Sequence, residues 1–367
     1  MPELHLSALE QLSTVGSPLR VGVSSNKGKH TNELLLGLVC ASEDLIKLGA
    51  SLPPIEYIWR DDGRNPQRAA SVAAEYCKMG VQYVIGHLSA SASLSASKIY
   101  QKNKVCFIAP ATSHPDLTRN VSLTIFRVCG KDDSQGEFIR HCVNRIVPNA
   151  AITIIAQDNA YGLALSAAVS VDKAGSTHSI VVPEKASARL KAKQLQRIKE
   201  RSLDYPDQTI VLCGVHEITG QLVRQLREAG IEDVIFVGDD ALIHDFTVLC
   251  GAYSDNVYVV GLAPVQSKQF VQLRADLSSR YINQVGVSPG AYFETSYWSA
   301  YILLSTLAEK NSVACSTEVA DAIRSKMWST SMGDIRFDER GDAHGLKWSL
   351  FAIDETTFEP AFSVAQC

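Results

Sequence analysis

Short runs of consecutive apolar residues alternate along this chain with longer stretches in which apolar residues recur every three or four positions. The runs are Leu19–Ser24, Ile55–Trp59, Tyr83–Gly86, Val105–Ala109 and Thr124–Val128, then Ala151–Ala156, Ser179–Val182, Thr209–Cys213, Val234–Gly238 and Val257–Gly261. Between them lie amphipathic stretches. Asn32–Leu48 carries Leu35, Leu38, Val39 and Leu45 at helical spacing, and Ala69–Met79, Gln135–Ile146, Leu190–Arg201 and Thr219–Ala229 are similar. A strand that is apolar on both faces is covered on both faces, and alternation with helices means parallel pairing. Five such units followed by five more predict an α/β chain with two doubly wound parallel-sheet lobes.

After Gly261 the rhythm changes. Two helical stretches, Lys268–Asn283 and Glu294–Asn311, lead to Glu318–Lys326, then to Gly333–Phe337 and an extended stretch at Leu346–Ile353. These are too few for a third domain. The simplest topology crosses between lobes at Gly130–Asp133, Leu262–Gln266 and Asp334–Asp342, each rich in turn-forming Gly, Pro or Asp. Lobe 1 is then 1–131 plus 264–335, and lobe 2 is 132–263 plus 336–367, joined by a three-crossover hinge.

Enzyme signatures are missing: there is no GxSxG and no HExxH. Gly22–His30 invites comparison with a phosphate loop, but five residues separate its first two glycines and His30 stands where Ser or Thr binds magnesium. Cys213-x-x-His216 is half a metal motif without a second half nearby and reads as a buried Cys followed by a loop His. Neither a metal nor a cofactor is expected. Two segments carry more. Val84–Ser97 and Val105–Thr118 each run from an apolar strand into small and hydroxyl residues. At the carboxyl end of a parallel strand, such a segment suits backbone capture of an anion such as a carboxylate, although Ser at a helix start also caps it.

Composition narrows the partners. The 367 residues are 46% hydrophobic and 20% charged, with a formal net charge of -4, and no Lys/Arg run exceeds two residues. Nucleic acid is not an expected partner. No apolar run approaches the roughly 18 residues that span a bilayer, so direct membrane insertion is not expected either. Met1–Leu19 has Glu3, His5 and Glu10 where a secretory signal is apolar. Nine cysteines, an odd and widely spaced set in apolar surroundings, read as reduced packing residues. The chain as written therefore reads as cytoplasmic, and as periplasmic only if an export signal stands outside it.

Several stretches together, in order and spacing, resemble the Leu/Ile/Val-binding proteins of bacterial importers, the type I periplasmic-binding fold. They are Asp61-Asp62 with Asn65-Pro66, Tyr83–Leu88, Pro110–Thr118, Ser134-Gln135-Gly136, Asp158–Gly162, Gly220-Gln221, Gly238–Ala241 and Phe337–Gly341, and the match runs over Leu19–Asp354. The resemblance implies two lobes that close on a small ligand, an amino acid or a relative of one. It implies that Ser89, Ala90 and Ser91, with Ala111, Thr112 and Ser113, hold the α-carboxylate and share the ammonium. Ser113 keeps the family's hydroxyl, whereas Ala90 replaces a usual Ser. Asp240, in place of a usual Glu, pairs with the ammonium, and Tyr161 closes over the ligand. Tyr297 lies beside the side-chain pocket, with His30 and Val215 at positions often aromatic. The family's disulfide positions match Arg64 and Ser89, so that bond is not expected.

Two functions compete: a receptor that delivers a solute to an ABC permease, and a cytoplasmic sensor of an amide or amino acid that regulates a partner protein. An enzyme on this scaffold lacks a nucleophile–base pair.

Overall fold

The computed structural model describes residues 18–170, 177–184, 190–310, 315–354 and 357–363. Residues 1–17, on which the export reading rests, and Cys367 lie outside the described residues. The chain divides into two compact units, Met1–Gly130 with Pro264–Leu346 and Lys131–Ala263 with Lys347–Cys367.

The first unit opens with β1 (Leu19–Ser25), α1 (Lys29–Lys47), β2 (Ile55–Asp61), α2 (Pro66–Lys78), β3 (Tyr83–Gly86), α3 (Ala90–Lys102), β4 (Cys106–Ala109) and β5 (Ile125–Arg127). The second holds α4 (Asp132–Ile146), β6 (Ile152–Gln157), α5 (Ala160–Ser170), β7 (Thr177–Val182), α6 (Ala192–Asp204), β8 (Thr209–Cys213), α7 (His216–Glu228), β9 (Val234–Val237), α8 (His244–Cys250) and β10 (Val257–Leu262). The chain returns to the first unit for α9 (Lys268–Val285), α10 (Ala291–Glu309), α11 (Ser316–Ser325), β11 (Met327–Thr330), β12 (Gly333–Phe337) and β13 (Ala343–His344). It ends in the second with β14 (Trp348–Asp354) and β15 (Thr357–Ser363).

In the first unit a parallel sheet is ordered β2-β1-β3-β4-β5. All four residues of β3 and of β4 are buried, as an unbroken apolar run requires when helices cover both faces. The Tyr76 hydroxyl ties two strands, lying 2.8 Å from the Val23 carbonyl oxygen and 2.9 Å from that of Ile58. Helix α2 starts where Asn65 accepts the Arg68 N–H and Pro66 fills the first turn. Helix α10 packs along α1. Gly37 makes that approach possible, since a Cβ there would stand 2.8 Å from both Cβ of Ser296 and the Tyr297 nitrogen.

The second unit's sheet is ordered β15-β14-β10-β9-β8-β6-β7. The pairs from β7 to β10 are parallel, as the apolar runs predict, but β14 and β15 add antiparallel at one edge. Buried Ile155, Leu212, Val237 and Phe246 form the core on one side of this sheet, and Ile154, Val211, Phe236 and Leu350 on the other.

The third passage between units falls at Leu346–Lys347 and not within Asp334–Asp342. Two contacts hold 333–342 in the first unit. Strand β12 pairs with β11, and Asp342 bridges to Arg127 through backbone and an ion pair of 2.9 Å. Among the described residues no helix is long and apolar enough to cross a membrane. Burial raises the thiols of Cys40, Cys106 and Cys250 to about 12, and that of Cys213 further, so these cysteines are unreactive packing groups.

Candidate functional site

In the first unit, the carboxyl ends of β3 and β4 lie side by side and turn into the two small-residue segments. Strand β3 leaves through Gly86, at φ +134, where a Cβ would meet the Ser24 carbonyl oxygen at 2.2 Å. His87 follows with φ +46 and is fully buried. This turn aims the chain into α3, with Ser89 as its N-cap residue. The Ser89 side chain does not cap the helix, and its buried oxygen has no hydrogen-bond partner among the described residues. The first N–H groups of α3, carried by Ala90, Ser91 and Ala92, have no intrahelical acceptor. Ala90 is buried, and the Ser91 hydroxyl reaches the Arg64 carbonyl at 3.4 Å. Strand β4 leads into Ala111, Thr112 and Ser113, all buried. Ser113 makes no hydrogen bond through its hydroxyl among the described residues, so this group is available to a ligand.

Thr112 differs from its neighbours. Its hydroxyl contacts those of the other segment, at 2.5 Å from Ser93 Oγ and 3.2 Å from the His87 carbonyl. Behind this turn the His87 ring is fixed by Asp62 Oδ2 at Nδ1 (2.9 Å) and by the Tyr100 hydroxyl at Nε2 (2.8 Å). Burial pushes the Asp62 carboxyl up, but the bond and charge of His87 and the Arg64 N–H outweigh it and leave Asp62 below its ordinary value.

His30 stands on the first turn of α1, buried, and pairs through Nδ1 with Glu33 Oε2 at 2.6 Å. Its ring lies 4.7 Å from that of Tyr292. Glu33, also buried, accepts the Gly290 N–H and so anchors the start of α10.

Tyr297 is not brought to this end of the unit. It is buried between helices, and its hydroxyl donates to Asp44 Oδ2 at 3.2 Å near the far end of α1. Helix α10 runs alongside α1 in the same sense, so the aromatic residue that meets His30 is Tyr292, at the start of α10 and five positions earlier.

In the second unit, Asp240 lies in a short turn after β9 and is buried. Its Oδ1 accepts the His216 N–H at 2.6 Å and lies 2.9 Å from His216 Nδ1. His216 is thus the first residue of α7, buried and bound to a carboxylate, where the sequence suggested a loop His. Val215 is the N-cap of α7, half-buried against the core, with its N–H donated to Gln157 Oε1 at 3.0 Å. The Tyr161 hydroxyl donates to Asp239 Oδ1 at 2.9 Å. Gly238 permits this approach, because a Cβ there would lie 2.3 Å from the Tyr161 oxygen. Burial raises the Asp239 carboxyl above its ordinary value and the Asp240 charge adds to this, against the nearby Gln135 amide and the hydrogen bond from Tyr161.

Sequence reasoning missed Tyr292, Asp239 and the roles of His216 and Ser93. His216 was visible only as half a metal motif, and Tyr292 was hidden among the several aromatic residues of one helix.

A family model for periplasmic binding proteins matches residues 43–353. The chain is 26% identical over 307 residues to the Leu/Ile/Val-binding protein of Escherichia coli (strain K12), spanning 83% of this chain and 80% of that one. It is 25% identical over 320 residues to the leucine-, isoleucine-, valine-, threonine-, and alanine-binding protein of Pseudomonas aeruginosa, spanning 86% and 83%. Among solved structures it resembles the leucine-binding protein LivK of Thermotoga maritima, with a TM-score of 0.81, 19% identity and coverage of 94% and 98%. A solute-binding protein of R. palustris in complex with benzoate gives a TM-score of 0.78 at 12% identity, with coverage of 95% and 96%.

Proposed function

The chain belongs to the periplasmic binding protein family, whose members are non-catalytic binding proteins, and on that premise we propose that it is the solute-binding component of an ABC importer for an aliphatic α-amino acid or a close analogue. Its partners in this reading are the small ligand and a membrane permease. The observation that carries the ligand class is the paired carboxyl-end segments of the first unit. There Ser89 and Ser113 offer hydroxyls that no described protein group uses, beside the opening N–H groups of α3. Small side chains at Ala90 and Ala111 let a carboxylate approach these donors. In the second unit Asp240, whose buried carboxylate is held by His216, stands at the position that the family resemblance assigns to the ammonium's partner. Both curated relatives are named for leucine, isoleucine and valine, and one of them also for threonine and alanine, which supports a small or aliphatic side chain.

Native mass spectrometry of the purified chain tests this reading. An amino acid travelling with the protein, released unchanged, is the expected result. A co-purifying ligand without a carboxylate would overturn the ligand class, and turnover of it would overturn the non-catalytic role.

A further inference from the structure

Resting on the reading of the first unit as a carboxylate receptor, we propose that Thr112 is a positioning residue and not a ligand contact. Its hydroxyl and that of Ser93 close on the His87 carbonyl and fasten the segment after β3 to the segment after β4. The distances set the direction of the bonds, since Ser93 Oγ lies nearer the His87 carbonyl than Thr112 Oγ1 does, at 2.7 Å against 3.2 Å. Ser93 Oγ lies 2.7 Å from the His87 carbonyl and 2.5 Å from Thr112 Oγ1, and each hydroxyl has one proton. Ser93 donates to the carbonyl and Thr112 donates to Ser93, a chain in which each bond polarises the next.

Both ends of this chain are fixed. At one end, every polar group of His87 is engaged. Its N–H donates to the Ser24 carbonyl (2.7 Å), and its ring is held by Asp62 and Tyr100. These bonds keep a non-glycine residue at φ +46, a conformation that persists only when its surroundings over-determine it. At the other end, the Thr112 carbonyl accepts from Nη1 of Arg127 at 2.9 Å, and the same nitrogen donates to the His114 carbonyl at 2.9 Å. The fully buried Arg127 is held in turn by Asp342, whose Oδ1 accepts from Nε at 2.9 Å and from the Thr118 hydroxyl at 2.6 Å. A continuous network, buried except at its half-buried Asp342 end, therefore runs from Asp62 to Asp342 and links both binding segments. Its effect is preorganisation: the N–H groups of α3 and the Ser113 hydroxyl are set in place before a ligand arrives, which lowers the ordering cost of binding.

Hydrogen exchange on the ligand-free full chain tests this without knowledge of the ligand. Thr112→Val keeps the shape of the side chain and removes the donor, whereas Thr112→Ser keeps the donor. Thr112→Val is expected to speed amide exchange roughly tenfold in 87–93 as well as in 110–114. Ser93→Ala is expected to reproduce this pattern, and Thr112→Ser to exchange like the wild type. Acceleration confined to 110–114, or a Thr112→Ser variant that matches Thr112→Val, would overturn the proposal. If Thr112→Val fails to fold, Ser93→Ala and Thr112→Ser decide it by the same comparison. Titration with L-leucine adds a separate reading, in which Thr112→Val weakens binding by about tenfold and Thr112→Ser restores it. A wild type that ignores L-leucine would count against the leucine-like ligand and leave the exchange result to stand alone.

Discussion

Asp240 Oδ1 accepts two hydrogen bonds from one residue, His216, through its backbone N–H at 2.6 Å and its ring Nδ1 at 2.9 Å. The carboxylate thus joins the start of α7 to the turn after β9, and it is a structural group as well as a candidate partner for a ligand cation. Two substitutions separate these roles. Asp240→Asn keeps an acceptor for the His216 N–H and removes the charge. It is expected to cost roughly 2–5 kcal/mol of affinity for an ammonium-bearing ligand, with little change in melting temperature. Asp240→Ala loses the helix-start bond too and is expected to cost about a further 1 kcal/mol of stability. Calorimetry alongside thermal melts reads both effects. Wild-type affinity in Asp240→Asn would mean that the ligand carries no amine.

Asp239 has the opposite electrostatic setting to a paired carboxylate. Burial and the neighbouring Asp240 raise its pKa, so the native state holds its proton more tightly than the unfolded chain does. Its contribution to stability therefore falls as pH rises from the ordinary carboxylate range through the raised value, and it stays unfavourable at neutral pH. Asp239→Asn, which still accepts from the Tyr161 hydroxyl, is expected to be more stable than wild type at pH 7 by about 0.5–2 kcal/mol. The gain should shrink as the pH is taken down through the ordinary carboxylate range. Denaturant melts across pH check both the sign and the trend.

Asp62 behaves in the reverse sense. Its pKa in the folded chain lies below the ordinary value, so its pairing with His87 stabilises the fold above about pH 4 and is lost as pH falls through the folded value. Asp62→Asn is expected to cost roughly 1.5–3 kcal/mol at neutral pH, the range for a hydrogen bond to a charged group. Its acid limb should be flatter than that of the wild type. Parallel limbs would show that another carboxylate governs acid unfolding.

Much of this architecture is legible in the sequence, because unbroken runs such as Tyr83–Gly86 and Thr209–Cys213 are buried on both faces and tolerate no other reading. The edge is less legible. Strand β15 carries the alternating, half-polar pattern of an exposed edge, Thr357–Ser363, and it has no apolar run to announce it. The site divides in the same way. Small and hydroxyl residues at strand ends marked Ser89–Ser91 and Ala111–Ser113, but which hydroxyls face a ligand depends on bonds between segments distant in sequence, such as Ser93 with Thr112. Tyr297 was misplaced because Tyr292, Phe293, Tyr297 and Trp298 share one apolar helix, in which sequence alone does not set the axial position relative to α1.

Ser113 and Ala90 test the carboxylate end. Ser113→Ala removes a hydroxyl with no described protein partner and should leave stability unchanged while weakening an α-amino acid by about 1.5–3 kcal/mol. Ala90→Ser adds a hydroxyl at the first position of α3 and is expected to tighten the same ligand by up to about 10–100-fold. Weaker binding by Ala90→Ser would mean that the small side chain is there to admit a bulkier group.

Titration calorimetry of the purified full chain against the standard L-amino acids and benzoate, with the ligand recovered afterwards and weighed by mass spectrometry, tests the central claim most directly. A saturable one-to-one heat is predicted for at least one aliphatic L-amino acid, recovered unchanged, with benzoate much weaker because it has nothing to offer Asp240. Benzoate binding as tightly as any amino acid, no heat with any amino acid, or a chemically altered ligand would contradict the account.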